Sequence, residues 1–231
     1  MPRPDISLTF PCFNEEENVA RTIDSALEVL NSLAGAFEVV VTNDGSTDRT
    51  REIAESYAER LPGRVRVVNL ETNHGYGFAL KTGLKACRYE WVFFTDGDLQ
   101  FDLAEMDLLI PYLDNFDIVT GYRRRRGDPI IRSFNSFGWK LVGWLLLGVR
   151  VKDLNCAFRF YRKSFLDAIS IESAGAMVNL EMYARAKRLG MRIKEVPVSH
   201  YPRLHGSQTG ANPLVIMKAF KELRQLYRSL K

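Results

Sequence analysis

The stretch WVFFTDGDLQFD, Trp91 to Asp102, runs from a strand-like apolar segment straight into three carboxylates and an amide: Asp96, Asp98, Gln100 and Asp102. Like charges this close repel, and burial adds to the cost. Such a turn can end a core strand only where that end opens to water or to something positive. The organisation of the flanking sequence says which.

Upstream, strand and helix periods alternate. Ile6 to Phe10 reads as a strand, and Asn14 as the N-cap of a helix with Glu15, Glu16 and Glu17 in its first turn and Val19, Ile23, Ala26, Leu27 and Leu30 on one face. Phe37 to Val41 reads as a second strand, followed by the loop NDGSTD, with Asp48 or Thr47 capping a helix that carries Ile53, Tyr57 and Leu61. A third strand, Val65 to Leu70, leads through ETNHGYG to a helix bearing Leu80, Leu84 and Cys87. Beyond the acidic turn, Leu103, Met106, Leu109 and Leu113 predict another helix, and Phe116 to Thr120 a fifth strand. This pattern predicts an α/β fold with a mainly parallel central sheet flanked by helices. Ligands of such sheets bind beyond the carboxyl ends of the strands. The acids after strand four and Asn43-Asp44 after strand two should therefore open on one crevice.

The alternation fades in the second half, which holds an Arg-rich loop (Tyr122 to Arg126) and an aromatic-apolar segment, Phe134 to Val149. A strand-like run follows at Cys156 to Arg162, then two helical stretches, an extended Ile193 to Tyr201, and a tail with Ile216, Phe220, Leu223, Tyr227 and Leu230 on one face. At 231 residues and 46% apolar content, the chain can bury one sizeable core. Residues 1–231 are therefore read as a single domain, residues 1–122 forming one half and 123–231 the other. Net charge is only +4, yet the first half carries −11 and the second +15. That asymmetry predicts an anionic partner for the second half, against the plainer reading of a solvated basic face. Nucleic acid is the poorer candidate, since no recognition motif is present and the acidic half would repel the backbone. The three scattered cysteines predict reduced core thiols in a cytosolic protein. No secretory signal and no spanning helix are expected.

The acids fail as an EF-hand: counted from Asp96, position six is Phe101 rather than Gly and position twelve is Asp107 rather than Glu. HGYGFA is not a dinucleotide fingerprint, and no P-loop occurs. Asp-x-Asp at a strand end suits Mg²⁺ or Mn²⁺, which take one or two carboxylates and complete their shell with water and phosphate oxygens. Gln100 adds a neutral oxygen. The alternative is that Asp98 or Asp102 caps the following helix.

Taken in order, PCFNEEENV (Pro11 to Val19), NDGSTD (Asn43 to Asp48), TDGDLQ (Thr95 to Gln100) and GYR (Gly121 to Arg123) resemble the inverting family 2 glycosyltransferases, and within them the dolichyl- and polyprenyl-phosphate mannose synthases with their glucosyl relatives. The resemblance implies a nucleotide-diphospho-sugar transferase fold of the GT-A type, with a C-terminal helical, acceptor-binding portion. It implies nucleotide-sugar contacts at Pro11, Asn14, Glu15, Asp44, Asp96 and Arg203, and a metal and diphosphate site at Asp96, Asp98 and Gln100. Arg123 and Arg132 then meet the acceptor phosphate, and Asp98, Arg123 and Arg132 carry the catalysis. Two departures stand out: Asn43 where the family pairs two acids, and Ser207-Gln208 where it often has Ser-Lys.

The donor so implied is GDP-mannose, with UDP-glucose the alternative, and the acceptor a polyprenyl or dolichyl phosphate, with a soluble glycan the alternative. A non-catalytic nucleotide-sugar binding module is the rival from another class. A lipid acceptor needs an apolar approach. Ser136 to Gly148, with Trp139, Trp144 and a leucine run beside Lys140, Arg150 and Lys152, has the pattern of a membrane interface, or equally of a core helix. The expectation is a peripheral protein at the cytoplasmic face of a membrane, alone or with a membrane partner subunit.

Overall fold

Seven strands hydrogen-bond into one sheet: β1 (Ile6–Cys12), β2 (Phe37–Asp44), β3 (Val65–Leu70), β4 (Trp91–Thr95), β5 (Ile118–Arg123), β6 (Phe158–Arg162) and β7 (Ile193–Val198). Their order across the sheet is β3-β2-β1-β4-β6-β5-β7. The structure is a computed structural model and describes residues 3–124, 146–175, 177–202 and 222–228. The expectations placed on Arg132, Arg203, Trp139, Trp144 and Ser207-Gln208 lie outside these residues, as does most of the tail.

The sheet is mainly parallel, as the alternation requires. β1 runs parallel to β2 and β4, β2 to β3, and β5 to β7. Only β6 runs against its neighbours, pairing its Phe160 with Phe93 of β4 and with Val119 of β5. Hydrophobic period identifies β6 as a strand but carries no information on its direction. Carboxyl ends of β1, β2, β4 and β5 consequently share one edge of the molecule.

Helices α1 (Val19–Leu33), α2 (Thr50–Arg60) and α3 (Tyr76–Ala86) follow the first three strands, and α4 (Lys163–Ala168) and α5 (Val178–Arg188) flank the later part. Val19, Ile23, Ala26 and Leu30 of α1 are buried, the face that the i, i+4, i+7 spacing foretells. Seating of α3 depends on Gly83: a Cβ there would stand 2.5 Å from Thr9 Oγ1 and 2.6 Å from Thr42 Oγ1.

Two local expectations need correction. Asn14 does not cap α1; it has φ 54°, and the helix begins at Val19 after Asn18, with the Glu15 carbonyl accepting the N–H groups of both. Residues 103–112 form two 3-10 turns, Leu103–Leu108 and Ile110–Tyr112, rather than an α-helix. Pro111 lacks an N–H and would clash with the carbonyl four residues back. The apolar residues Leu103, Met106 and Leu109 are nevertheless buried, since a repeat of three matches the 3-10 period.

The main core lies along the sheet, where Phe93 meets Phe158 and Phe160 edge-on at 4.8 and 4.7 Å between ring centroids. A second cluster joins Val149, Leu154, Met177, Leu180 and Tyr183 to Leu223 and Leu226. The described part of the tail thus packs against the protein, burying Leu226 while Tyr227 is 37% exposed. Leu146 is exposed, whereas Leu147 and Val149 face the second cluster.

Candidate active site

Loops at the common strand edge are bonded to one another before any ligand is considered. Asn14 Oδ1 accepts the Thr47 N–H at 2.9 Å, and the Asn14 N–H donates to Ser46 Oγ at 3.0 Å. Glu15 N–H donates to Thr50 Oγ1 at 2.8 Å, and Glu16 N–H to Asp48 Oδ2 at 3.1 Å. The left-handed backbone at Asn14, tolerated by that residue type, turns its amide toward the second loop. Asp48 also accepts the N–H and hydroxyl of Thr50. Burial pushes its pKa up, but these hydrogen bonds outweigh it and the net direction is down. Pro11 lies within β1, its carbonyl beneath Gly97.

Asp44 ends β2, and its buried carboxylate accepts the N–H groups of His74 and Gly75 at 2.8 and 2.9 Å. It thereby ties the second loop to the third, a role the sequence does not signal. Asn43 donates to Asn69 Oδ1 at 3.0 Å and accepts the Ser46 N–H at 3.2 Å. An amide can do both, which a carboxylate in its place could not.

The acidic turn rises from β4. Gly97 packs so tightly that a Cβ would stand 2.9 Å from the Phe10 ring, and its carbonyl accepts from Thr22 Oγ1 at 3.3 Å. Asp98 Oδ1 accepts the Gln100 N–H at 3.2 Å across Leu99, whose φ is 58°. Asp96 Oδ1 accepts from the Tyr76 hydroxyl at 3.1 Å. Desolvation of the hydroxyl first, and the Asp96 charge second, hold that phenol above its ordinary pKa, although the residue as a whole is 39% exposed. Gln100 is bound to Tyr201 twice: its side-chain Nε2 donates to the Tyr201 carbonyl at 3.0 Å and its main-chain carbonyl accepts the Tyr201 N–H at 2.8 Å. Asp102, by contrast, is exposed and accepts the Ala104 N–H at 3.0 Å, so it is the cap that the sequence could not distinguish from a ligand.

Asp96 and Asp98, both half-buried on one turn, fit a hard divalent cation that draws its remaining ligands from water and phosphate. Among the described residues no three His, Cys, Asp or Glu side chains form a metal-binding group. Gln100 brings a side-chain oxygen to the same turn.

Arg123 ends β5 on the same edge. Its guanidinium grips Asp153 through two bonds, Nε to Oδ2 at 2.7 Å and Nη2 to Oδ1 at 3.0 Å. Asp153 is buried, and sequence reading missed it because nothing local marks residue 153 as Arg123's partner. It missed Tyr76 for the same reason. The three cysteines are buried without a partner thiol, and burial pushes Cys87 and Cys156 up to about 12. No thiol chemistry is available here.

The model of glycosyl transferase family 2 matches residues 7–170. The dodecaprenyl-phosphate galacturonate synthase of Rhizobium johnstonii is 28% identical over 209 residues, covering 87% of this chain and 60% of that protein. An undecaprenyl-phosphate 4-deoxy-4-formamido-L-arabinose transferase of Pseudomonas fluorescens is 29% identical over 205 residues, covering 87% and 59%. The chain thus spans about 60% of the length of these two curated relatives. In fold it is similar to glucosyl-3-phosphoglycerate synthase from Mycobacterium tuberculosis in complex with Mn²⁺, UDP and glucosyl-3-phosphoglycerate. The TM-score is 0.66 at 21% identity, covering 98% of this chain and 77% of that one.

Proposed function

Since the chain belongs to glycosyl transferase family 2, we propose that it transfers a sugar from a nucleoside-diphosphate sugar to a polyprenyl phosphate. The observation that carries this reading is that the Asp96-Asp98 turn after β4 and Arg123 at the end of β5 lie on one sheet edge, with β6 between their strands. Carboxylates suited to a metal–diphosphate lie on one side and a fixed cation suited to a second anion on the other. Relatives named for dodecaprenyl and undecaprenyl phosphates support the acceptor class. In this reading residues 1–122 hold the donor and metal, and residues 123–231 hold the acceptor.

The chemistry follows from charge. Breaking the anomeric bond leaves negative charge on the departing diphosphate, and a divalent cation at Asp96, Asp98 and Gln100 would supply Lewis-acid stabilisation of it. A phosphate monoester, with a second pKa of roughly 6, is already ionised near neutrality and needs no strong base. The chain's task is then to aim it, which Arg123 does, Asp153 fixing the orientation of the fork. Asp44 shapes the nucleotide side by holding the His74-Gly75 backbone.

GDP-mannose is the first donor to test and UDP-glucose the second; the relatives' galacturonate and formamido-arabinose extend the panel. Exposed Leu146 and the basic excess of residues 123–231 support peripheral contact with the cytoplasmic face of a membrane, with or without a membrane subunit. Among the described residues no helix is long and apolar enough to cross one.

The deciding experiment offers labelled nucleotide sugars with Mg²⁺ or Mn²⁺ and a short-chain prenyl phosphate. A chloroform-extractable sugar-phosphate lipid is expected. Transfer only to soluble glycans, or binding without turnover, would overturn the proposal.

A further inference from the structure

Arg159, in β6, has no exposed surface, and among the described residues its guanidinium forms no ion pair. Its donors are spent on neutral oxygens. Nη1 donates to the Tyr161 hydroxyl at 2.8 Å and to Asn179 Oδ1 at 3.4 Å, and Nη2 to the carbonyls of Leu154 and Cys156 at 3.2 and 2.6 Å. The Tyr183 ring lies 4.8 Å from the guanidinium carbon, and among the described residues Nε has no hydrogen-bond partner.

Core stability does not account for such a residue. A buried cation without a counter-charge is costly, and an apolar side chain of similar volume is often as stable or more so. Its position does account for it. Leu154 and Cys156 belong to the turn 153–156, whose own closing bond, Cys156 N–H to the Asp153 carbonyl, is 3.5 Å long and weak. Arg159 binds two carbonyls of that turn, and the turn presents Asp153 to the fork of Arg123.

We propose that Arg159 is a positioning residue for the acceptor: by gripping the 153–156 turn it fixes Asp153, and Asp153 fixes the plane of Arg123. The proposal rests on the reading that Arg123 meets the acceptor phosphate. Lysine cannot replace Arg159, because a point-like ammonium lacks the planar set of donors that spans these acceptors.

The first test is independent of turnover. The Arg123 Nε–H, assigned by its loss in Arg123→Lys, should give a slowly exchanging ¹H–¹⁵N signal in the wild type that broadens or vanishes in Arg159→Lys. The second is kinetic. Arg159→Lys should raise KM for a short prenyl phosphate about tenfold, the equivalent of one charge-assisted hydrogen bond. Dissociation constants for the donor nucleotide should stay put. Combined with Asp153→Asn it should add nothing to Asp153→Asn alone, because both act through one contact. If Arg159→Lys fails to fold, Tyr161→Phe removes only the 2.8 Å acceptor and should shift the Arg123 signal in the same direction. A lowered melting temperature with the Arg123 signal and KM unmoved, or effects that multiply in the double variant, would reduce Arg159 to a structural part. A wild type inactive on prenyl phosphate removes the acceptor reading alone, and the spectra still decide on Arg159.

Discussion

Asp98 and Asp102, four residues apart, look alike in sequence and do different work. Asp98 closes the turn beside Asp96, whereas Asp102 caps a 3-10 turn from an exposed position. Asp98→Asn should therefore lower kcat about 10²–10³-fold, the loss seen when one transition-state charge contact is removed. Chelation should abolish transfer, and Mg²⁺ or Mn²⁺ should restore it. Asp102→Ala should instead cost about 1 kcal/mol of stability, a lost cap, with turnover per folded molecule unchanged. Chemical denaturation beside initial rates separates the two. Glu38 offers a pH test far from the crevice. It is fully buried, accepts from Ser7 Oγ at 2.7 Å and the Arg88 N–H at 2.9 Å, and pairs with Arg66 and Arg88. Burial alone would raise its pKa, but these donors together lower it. A carboxyl depressed in the folded state stabilises the fold above its unfolded pKa, and that contribution disappears as pH falls through the folded value. Glu38→Gln should cost about 2 kcal/mol at pH 7, below the figure for a sealed pair because both arginines reach solvent. The gap to wild type in urea midpoint should close on acidification below the ordinary carboxylate range.

Elements were legible in proportion to how local their signals are. β1 to β4 and α1 to α3 follow from runs of apolar residues and helical spacing, and each is present, although α1 starts at Val19 rather than beside Asn14 and α2 and α3 stop just short of Leu61 and Cys87. Direction and partner were not legible. The reversal of β6 is decided by pairing with β4 and β5, residues far away in the chain. Asn14 has the composition of a cap, yet its side chain finds Thr47 in another loop. The site divides the same way: the acidic turn stands out as four polar residues after a strand, while Asp153 and Arg159 are ordinary letters until folding brings them together. Helix seating can be probed at Gly83, over the hydroxyls of Thr9 and Thr42. Gly83→Ala gains helix propensity but must displace α3 from the sheet, so a net loss of about 1–3 kcal/mol is expected. A raised melting temperature would show that α3 has slack.

Across the whole molecule, the tail's role turns on Leu226. It is 3% exposed, in the second cluster with Leu180 and Tyr183. Leu226→Ala should destabilise by about 2–3 kcal/mol, at the low end for a buried leucine because the cluster is small. Liposome binding by the folded fraction should be unchanged. A variant of wild-type stability that no longer binds vesicles would instead give this part of the tail to the membrane. The charge division between the halves was visible at once, because composition survives without coordinates, but which basic residues share a surface was not.

The reversed strand also has a consequence for how the chain is made. β4 is buried at every position and lies between β1 and β6, so β6 alone closes its outer edge. The ribosome delivers Phe158 roughly sixty residues after Thr95, which at ~5–20 residues per second leaves that edge unpaired for seconds. Through that interval the nascent protein presents WVFFT as an open template for strand addition. Slow translation between residues 95 and 158 should increase aggregation, and a chaperone that shields the emerging edge should suppress it.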